Sequence, residues 1–526
     1  MQISSLGFIQ NPFQQKGDLN DVNKKRLEEL KGKLEEIKAL SYNSELLSWD
    51  SKVSLPKGDK TVDGRGWVSS KVEGLIHDLS TSIQMGELIN ELSIEEVLSN
   101  LSPVDRKIVE EAKRDYEHRT KLDKHLVEEL ASAASKTSAV WEEARKNNDF
   151  KTFKPHLQKM FELQREKANQ LGYQDSPYDA LHDEYERGMT SKKLEIILSR
   201  LRDELIPLIA QIKDSGVKPR NDIFKHSYSQ KKQMELGEML LRHIKYDGTN
   251  GRLDLSAHPF TCYTGPYDSR VTTRINKHNF LSNIYSVLHE GGHGNHGLQI
   301  HDKLLKTNLG TPPSLGICES QSRFYENLLG KNKAFWEFFY PKLQEHFKSQ
   351  LKDVSLDEFY KVINNVEPGL IRVEADEVTY NLHIIIRQEL EKALVESNLQ
   401  VQYLPAAWNE KYEKYLGVTP PNDKEGVMQD IHWSMGLIGY FPTYTLGNLY
   451  ASQFYNAADK ELGGIDDIVR SGDLTPIVEW NGTNINQHGL MLTAEEVSKE
   501  ATGEGLNSAY GIDYINKKFR PLYGLH

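Results

Sequence analysis

Residues 280–293 read Phe-Leu-Ser-Asn-Ile-Tyr-Ser-Val-Leu-His-Glu-Gly-Gly-His. Phe280, Leu281, Ile284, Val287 and Leu288 recur at helical spacing and are strongly apolar, which predicts a buried helix. Two histidines four apart on a helix project from one face, a turn apart. His289 and His293 can therefore reach one tetrahedral zinc, with Glu290 beside the open position, placed to take a proton from the attacking water. An unpaired buried polar group costs ~1–3 kcal/mol, so a buried helix needs partners for all three side chains. Gly291 and Gly292 each cost a helix ~1 kcal/mol relative to Ala, which is understandable where something must approach closely. The pentapeptide thus predicts a zinc hydrolase; its competitor is a core cluster satisfied without metal.

Outward from this helix the same period prevails. Leu27, Leu30, Leu34, Ile37 and Leu40 stand three and four apart with Lys and Glu between them. Similar patterns recur around 108–116, 194–212, 234–244 and 359–366. The best candidate for a small β element is 252–275, where Phe260, Tyr263, Tyr267, Val271 and several threonines are punctuated by Gly265 and Pro266. Breaks at 55–58, 216–219, 310–313 and 420–421 are too short for interdomain linkers. The expectation is a mainly α protein, one helical unit over 1–526 with a central cleft. Its chemistry-bearing segments lie between His258 and Tyr444.

The chain has 526 residues and a net charge of -11, which argues against nucleic acid or an anionic membrane as main partner. Two cysteines, Cys262 and Cys318, form no disulfide framework and suit a reducing cytosol. Residues 1–20 lack the basic start and apolar core of a signal peptide, and no segment approaches the 18 or more apolar residues that span a bilayer. A cytoplasmic protein is expected.

A catalytic zinc needs a third protein ligand. The pattern with a third histidine six residues after the second would need glycine at position 296 and histidine at position 299; the chain has His296 and Gln299 there. The other common solution is a Glu on a following helix, and the segment 315–329 opens one. Glu319 lies near its N-terminus, where the helix dipole favours a carboxylate. Spacing favours Glu319 over Glu326 only modestly, with His296 a weaker candidate.

Further segments resemble, in order, those of the carboxypeptidase Taq family of metallocarboxypeptidases. They are His258-Pro259-Phe260, Asp268-Ser269-Arg270-Val271-Thr272 and Glu319-Ser320-Gln321. Ile371-Arg372-Val373-Glu374-Ala375-Asp376-Glu377 follows, leading into Thr379-Tyr380-Asn381. Gly-Val-Met-Gln-Asp-Ile-His-Trp-Ser at 426–434 and Gly439-Tyr440-Phe441-Pro442-Thr443-Tyr444 complete the set. The early 46–50 and closing 510–523 also fit, so the likeness covers nearly the whole chain.

The resemblance implies an almost entirely helical, saddle-shaped subunit with a deep central groove, usually a homodimer. It implies zinc, replaceable by cobalt, on His289, His293 and Glu319. It also implies release of single C-terminal residues from peptides with a free C-terminus, with broad side-chain tolerance and poor action on proline. Arg372 looks like the clamp for the terminal carboxylate, since a guanidinium fork matches it. Its competing role is an ion pair with Glu374, Asp376 or Glu377, and Arg270 is the second clamp candidate. His432 and Tyr444 are candidate donors to the oxyanion. His258 is expected to line the site, Arg323 to pair with Glu319 or its neighbours, and Asp268 or Asp376 to orient the histidines from behind.

Two departures stand out: Cys318 replaces the family's usual His, and Gly294-Asn295-His296 replaces small and aromatic residues. Cys318 is expected to be a small buried residue rather than a soft additional ligand, and His296 to alter the groove wall. Two rival readings remain. A helical-cleft zinc endo-oligopeptidase would share the His-Glu-x-x-His but need no carboxylate-reading Arg. A binding protein with a structural metal would have no use for Glu290.

Overall fold

The computed structural model describes residues 19–525, so the segment judged above for a signal peptide lies mostly outside it. The chain is mainly helical, with one three-stranded sheet among the described residues. Helix α1 (Asp21–Val53) starts where the Asn20 side chain accepts a hydrogen bond from the Asn23 backbone N–H. The periodic segments around 108–116, 194–212 and 234–244 fall on helices, and the helix carrying Phe359 stops at Ile363, short of Val366. No described helix is long and apolar enough to cross a membrane.

The β element falls where expected: β1 (Gly251–Leu255), β2 (Thr261–Gly265) and β3 (Asp268–Thr273). β3 is central, parallel to β1 and antiparallel to β2, with Thr261 opposite Val271 and Cys262 opposite Arg270. Side chains alternate between faces along a strand. Thr261 and Tyr263 accordingly reach helix α2 (Phe280–Leu298), the Thr261 hydroxyl lying against Glu290 and the Tyr263 hydroxyl donating to the His293 carbonyl. Arg270 lies on the other face, its guanidinium 4.5 Å from the ring centre of Trp49 on α1.

Three more helices complete the frame. α3 (Leu315–Arg323) is capped by Ser314, whose Oγ accepts from the Ile317 N–H, and by buried Glu186, which accepts from the Gly316 N–H at 3.0 Å. The segment then continues as a single π-helical turn, Phe324–Leu329. α4 (Tyr380–Val395) is preceded by Asp376, whose Oδ1 accepts from the Val378 and Thr379 N–H groups. α5 (Pro442–Leu462) opens on proline, which the first helical position tolerates.

The larger apolar core joins these helices, with Ile284, Leu288, Ile317, Phe324, Leu382 and Leu446 all fully buried. A smaller cluster packs Leu27, Leu30 and Leu34 against Ile89, Leu92, Ile108 and Leu304.

Glycine explains how closely the helices approach. A Cβ on Gly292 would stand 2.6 Å from the Gln321 carbonyl oxygen and 2.8 Å from the Ser322 Cα. One on Gly447 would stand 2.5 Å from the Glu319 Cγ. α2 and α5 thus press on α3 from two sides. For Gly292→Ala, a helix-propensity gain of ~1 kcal/mol competes with overpacking against rigid backbone, which costs ~1–3 kcal/mol or more. The expected net result is a lower unfolding midpoint in thermal or denaturant melts.

Candidate active site

α2 presents His289 and His293, and α3 presents Glu319 toward them. The Nε2 atoms of His289 and His293 lie 3.7 and 3.5 Å from Glu319 Oε2. One ligand atom from each residue falls within a mutual 4.8 Å. A tetrahedral ion bound at ~2.0–2.1 Å sets its ligands ~3.3–3.4 Å apart, so this donor set fits a metal with little adjustment.

The far sides of both imidazoles are held. His289 Nδ1 is 2.8 Å from Glu326 Oε2. A carboxylate only accepts, so Nδ1 carries the proton and the Nε2 lone pair faces Glu319. His293 Nδ1 lies 3.4 Å from Cys318 Sγ.

Arg323 ties the assembly together. It donates from Nε to Glu319 Oε1 at 2.7 Å and from Nη1 to Glu326 Oε2 at 3.0 Å. Burial opposes the charge on both carboxylates, yet Arg323 and the histidines outweigh it. Glu319 is held well below the usual carboxylate range and Glu326 down to about 2. The π-helical turn adds an extra residue to the turn that carries Glu326, which reaches the back of His289 rather than the metal face.

Glu290 is buried, and its Oε2 accepts a 2.7 Å hydrogen bond from the Thr261 hydroxyl. Sequence reasoning missed Thr261; its position directly after His258-Pro259-Phe260 at the start of a strand was the available signal.

A second cluster adjoins the first. The Tyr380 ring lies 4.9 Å from the Arg323 guanidinium, and its hydroxyl accepts from Arg372 Nη1 at 3.0 Å. Arg372 is 5% exposed and donates from Nε and Nη2 to Asp430 Oδ1 at 3.0 and 2.9 Å. Asp430 also accepts from Arg387 Nε at 2.6 Å. Burial opposes the Asp430 charge, but Arg387 and Arg372 hold it far below the ordinary range. Two guanidiniums against one carboxylate leave one surplus positive charge. Arg372 has five N–H groups; three are engaged by Asp430 and Tyr380, and two are left over. Its guanidinium stands 5.2 Å from the Tyr444 ring centre, and the Tyr444 hydroxyl is 3.3 Å from His432 Nε2. Burial pushes His432 down to about 4 and the Tyr444 phenol well above its ordinary value, so both are neutral near pH 7.

Several expectations are corrected. Arg372 pairs with Asp430, not with Glu374, Asp376 or Glu377. Neither Asp268 nor Asp376 backs a histidine: Asp268 pairs with Arg270, and Asp376 caps the approach to α4. Glu326 and Cys318 fill those positions instead. Cys318 lies behind His293, against Nδ1, while Nε2 of that ring is turned toward Glu319. His296 is no groove residue; it is fully buried, and burial drives it down to about 3. Arg270 sits on the sheet face toward α1, and His258 is exposed, with its carbonyl accepting from Ser256. The structure brings neither into the cluster around His289.

Residues 29–519 match the family described as Carboxypeptidase Taq (M32) metallopeptidase. Carboxypeptidase 1 of Bacillus subtilis is 40% identical over 490 residues, covering 93% of this chain and 97% of that protein. Thermostable carboxypeptidase 1 of Thermus thermophilus is 39% identical, covering 91% and 95%. The crystal structure of the M32 carboxypeptidase from Deinococcus radiodurans superimposes with a TM-score of 0.92 at 34% identity, covering 95% of this chain and 100% of that one.

Removing a histidine's outer partner typically costs 10–100-fold in metal affinity. Glu326→Ala is therefore expected to weaken metal binding by about 10–100-fold, measured by competition with a chromogenic chelator.

Proposed function

The chain belongs to the carboxypeptidase Taq (M32) family of metallopeptidases and is a metallocarboxypeptidase, and we propose that zinc is its metal and that it releases single C-terminal residues from peptides with a free terminal carboxylate. The observation that carries this reading is the convergence of His289, His293 and Glu319 beside Glu290, linked through Arg323 and Tyr380 to a guanidinium with unspent N–H groups. Broad side-chain tolerance, poor action on proline and replacement of zinc by cobalt accompany the reading. So do a single catalytic unit over the chain, a homodimer and a cytoplasmic setting, the last in keeping with two free cysteines and a net charge of -11.

His289, His293 and Glu319 would hold the zinc, which when bound supplies Lewis acidity to the scissile carbonyl. Glu290 takes the proton of the attacking water and returns it to the leaving amine. Thr261 fixes one oxygen of Glu290 by its 2.7 Å hydrogen bond. The Tyr444 phenol, protonated at working pH, and neutral His432 donate to the developing oxyanion; each such donor is worth ~3 kcal/mol in the transition state. Arg372 meets the terminal carboxylate with its two remaining N–H groups, and the surplus positive charge beside Asp430 favours an anion there.

The deciding assay compares an N-blocked dipeptide acid with its C-terminal amide, with and without chelator. Chelator-sensitive release from the acid alone is expected; equal cleavage of both substrates would instead identify an endo-acting oligopeptidase. Glu290→Gln should abolish turnover while retaining stoichiometric zinc, measured by elemental analysis. A group held down to about 4 is neutral at all higher pH. His432→Ala should therefore lower kcat/KM by the same factor from about pH 5.5 to about pH 9, and a loss confined to the acid side would contradict a neutral role.

A further inference from the structure

We infer that Tyr380 is a second substrate-binding donor for the terminal carboxylate, beside Arg372. The inference rests on reading Arg372 as the clamp.

The hydroxyl of Tyr380 accepts from Arg372 Nη1 at 3.0 Å. Among the described residues no acceptor lies within hydrogen-bond reach of its own proton. A phenol that accepts from a cation and has its O–H unspent is a donor in waiting. It stands beside the two unspent N–H groups of Arg372, where two guanidiniums outweigh Asp430. Tyr380 is 8% exposed, so the free O–H faces little water. A carboxylate arriving at the Arg372 fork would find the phenol proton next to it, and O–H···O⁻ bonds are among the short, strong ones.

The ring has a separate task. It packs 4.9 Å from the Arg323 guanidinium, which itself holds Glu319 Oε1, and edge-on to Tyr444 at 6.2 Å. Tyr380 therefore sets the spacing between the end that reads the carboxylate and the ligand set where the bond is cut. A C-terminal amide offers one neutral carbonyl oxygen in place of a carboxylate, so it forfeits the charge-assisted O–H···O⁻ bond from the phenol, and this residue adds to selection of the free acid.

Tyr380→Phe keeps the ring and removes only the hydroxyl. For the N-acetylated dipeptide acid, KM is expected to rise about tenfold or more with kcat changed less than about twofold and zinc content intact. Isothermal titration of an N-acetyl amino acid into zinc-loaded Glu290→Gln protein should weaken by the same factor when Tyr380→Phe is added. Unchanged KM and unchanged binding would overturn the inference, as would a loss confined to kcat or to zinc. Arg372→Lys runs in parallel. If it leaves KM for the acid unchanged, the clamp reading fails; if it raises KM while Tyr380→Phe does not, only the role of Tyr380 falls.

Discussion

Everything in the site depends on one guanidinium buried among carboxylates. Arg323 holds the outer oxygen of Glu319, the partner of His289, and the ring of Tyr380 at once. Taking such charges out of water is costly, and removing one member of a buried pair typically costs ~3–5 kcal/mol because the other is left uncompensated. The arrangement fixes where three side chains point, and as a buried ion-pair cluster it adds little net stability. Arg323 touches no reacting atom in this scheme, and yet both halves of the site refer back to it.

The second constraint is charge balance at Asp430. Two arginines converge on one carboxylate, and both lie against aromatic rings, Arg387 on Trp408 and Arg372 near Tyr444. The interior thus carries a cation it has not fully neutralised. On the proposed reading a substrate carboxylate would complete the balance, so that binding and burial of the ligand's charge become one event. The candidate metal ligands come from α2 and α3, and the proposed anion-reading groups from 372–380 and 430–444. Arg372, Asp430 and His432 lie in turns and irregular segments rather than in a regular helix, and buried ion pairs hold Arg372 and Asp430 in place.

Helix type and order were legible in the sequence because apolar residues recur at three and four, and the His-Glu-Gly-Gly-His helix announced its own burial through Phe280, Ile284 and Val287. The small sheet was legible too, from its threonines and aromatics. Partners distant in sequence were not. Nothing in the spacing says that Asp430 meets Arg372 across 58 residues, or that Glu326 falls behind His289 rather than in front of it. The second depends on a π-helical turn that no periodicity reveals. Thr261 and Tyr263 looked like ordinary strand residues, and only the pairing of β2 with β3 turns their hydroxyls onto α2. His296 misled because helical spacing places it near the ligands without saying which neighbours enclose it.

The three-stranded sheet has a consequence that goes beyond support. Because successive side chains face opposite ways, the pairing of Thr261 with Val271 is what delivers a hydroxyl to Glu290. A slip of a single residue along β3 would present the Cys262 thiol to α2 and turn Thr261 toward Trp49. Every helix could remain folded with His289, His293 and Glu319 in place, and Glu290, the proposed base, would still lose its hydrogen bond to Thr261. Strand alignment in a sheet five or six residues long is therefore as much a part of the chemistry as the histidines are. Loop insertions between β2 and β3 should be read as changes to the active centre, although they fall outside it in sequence.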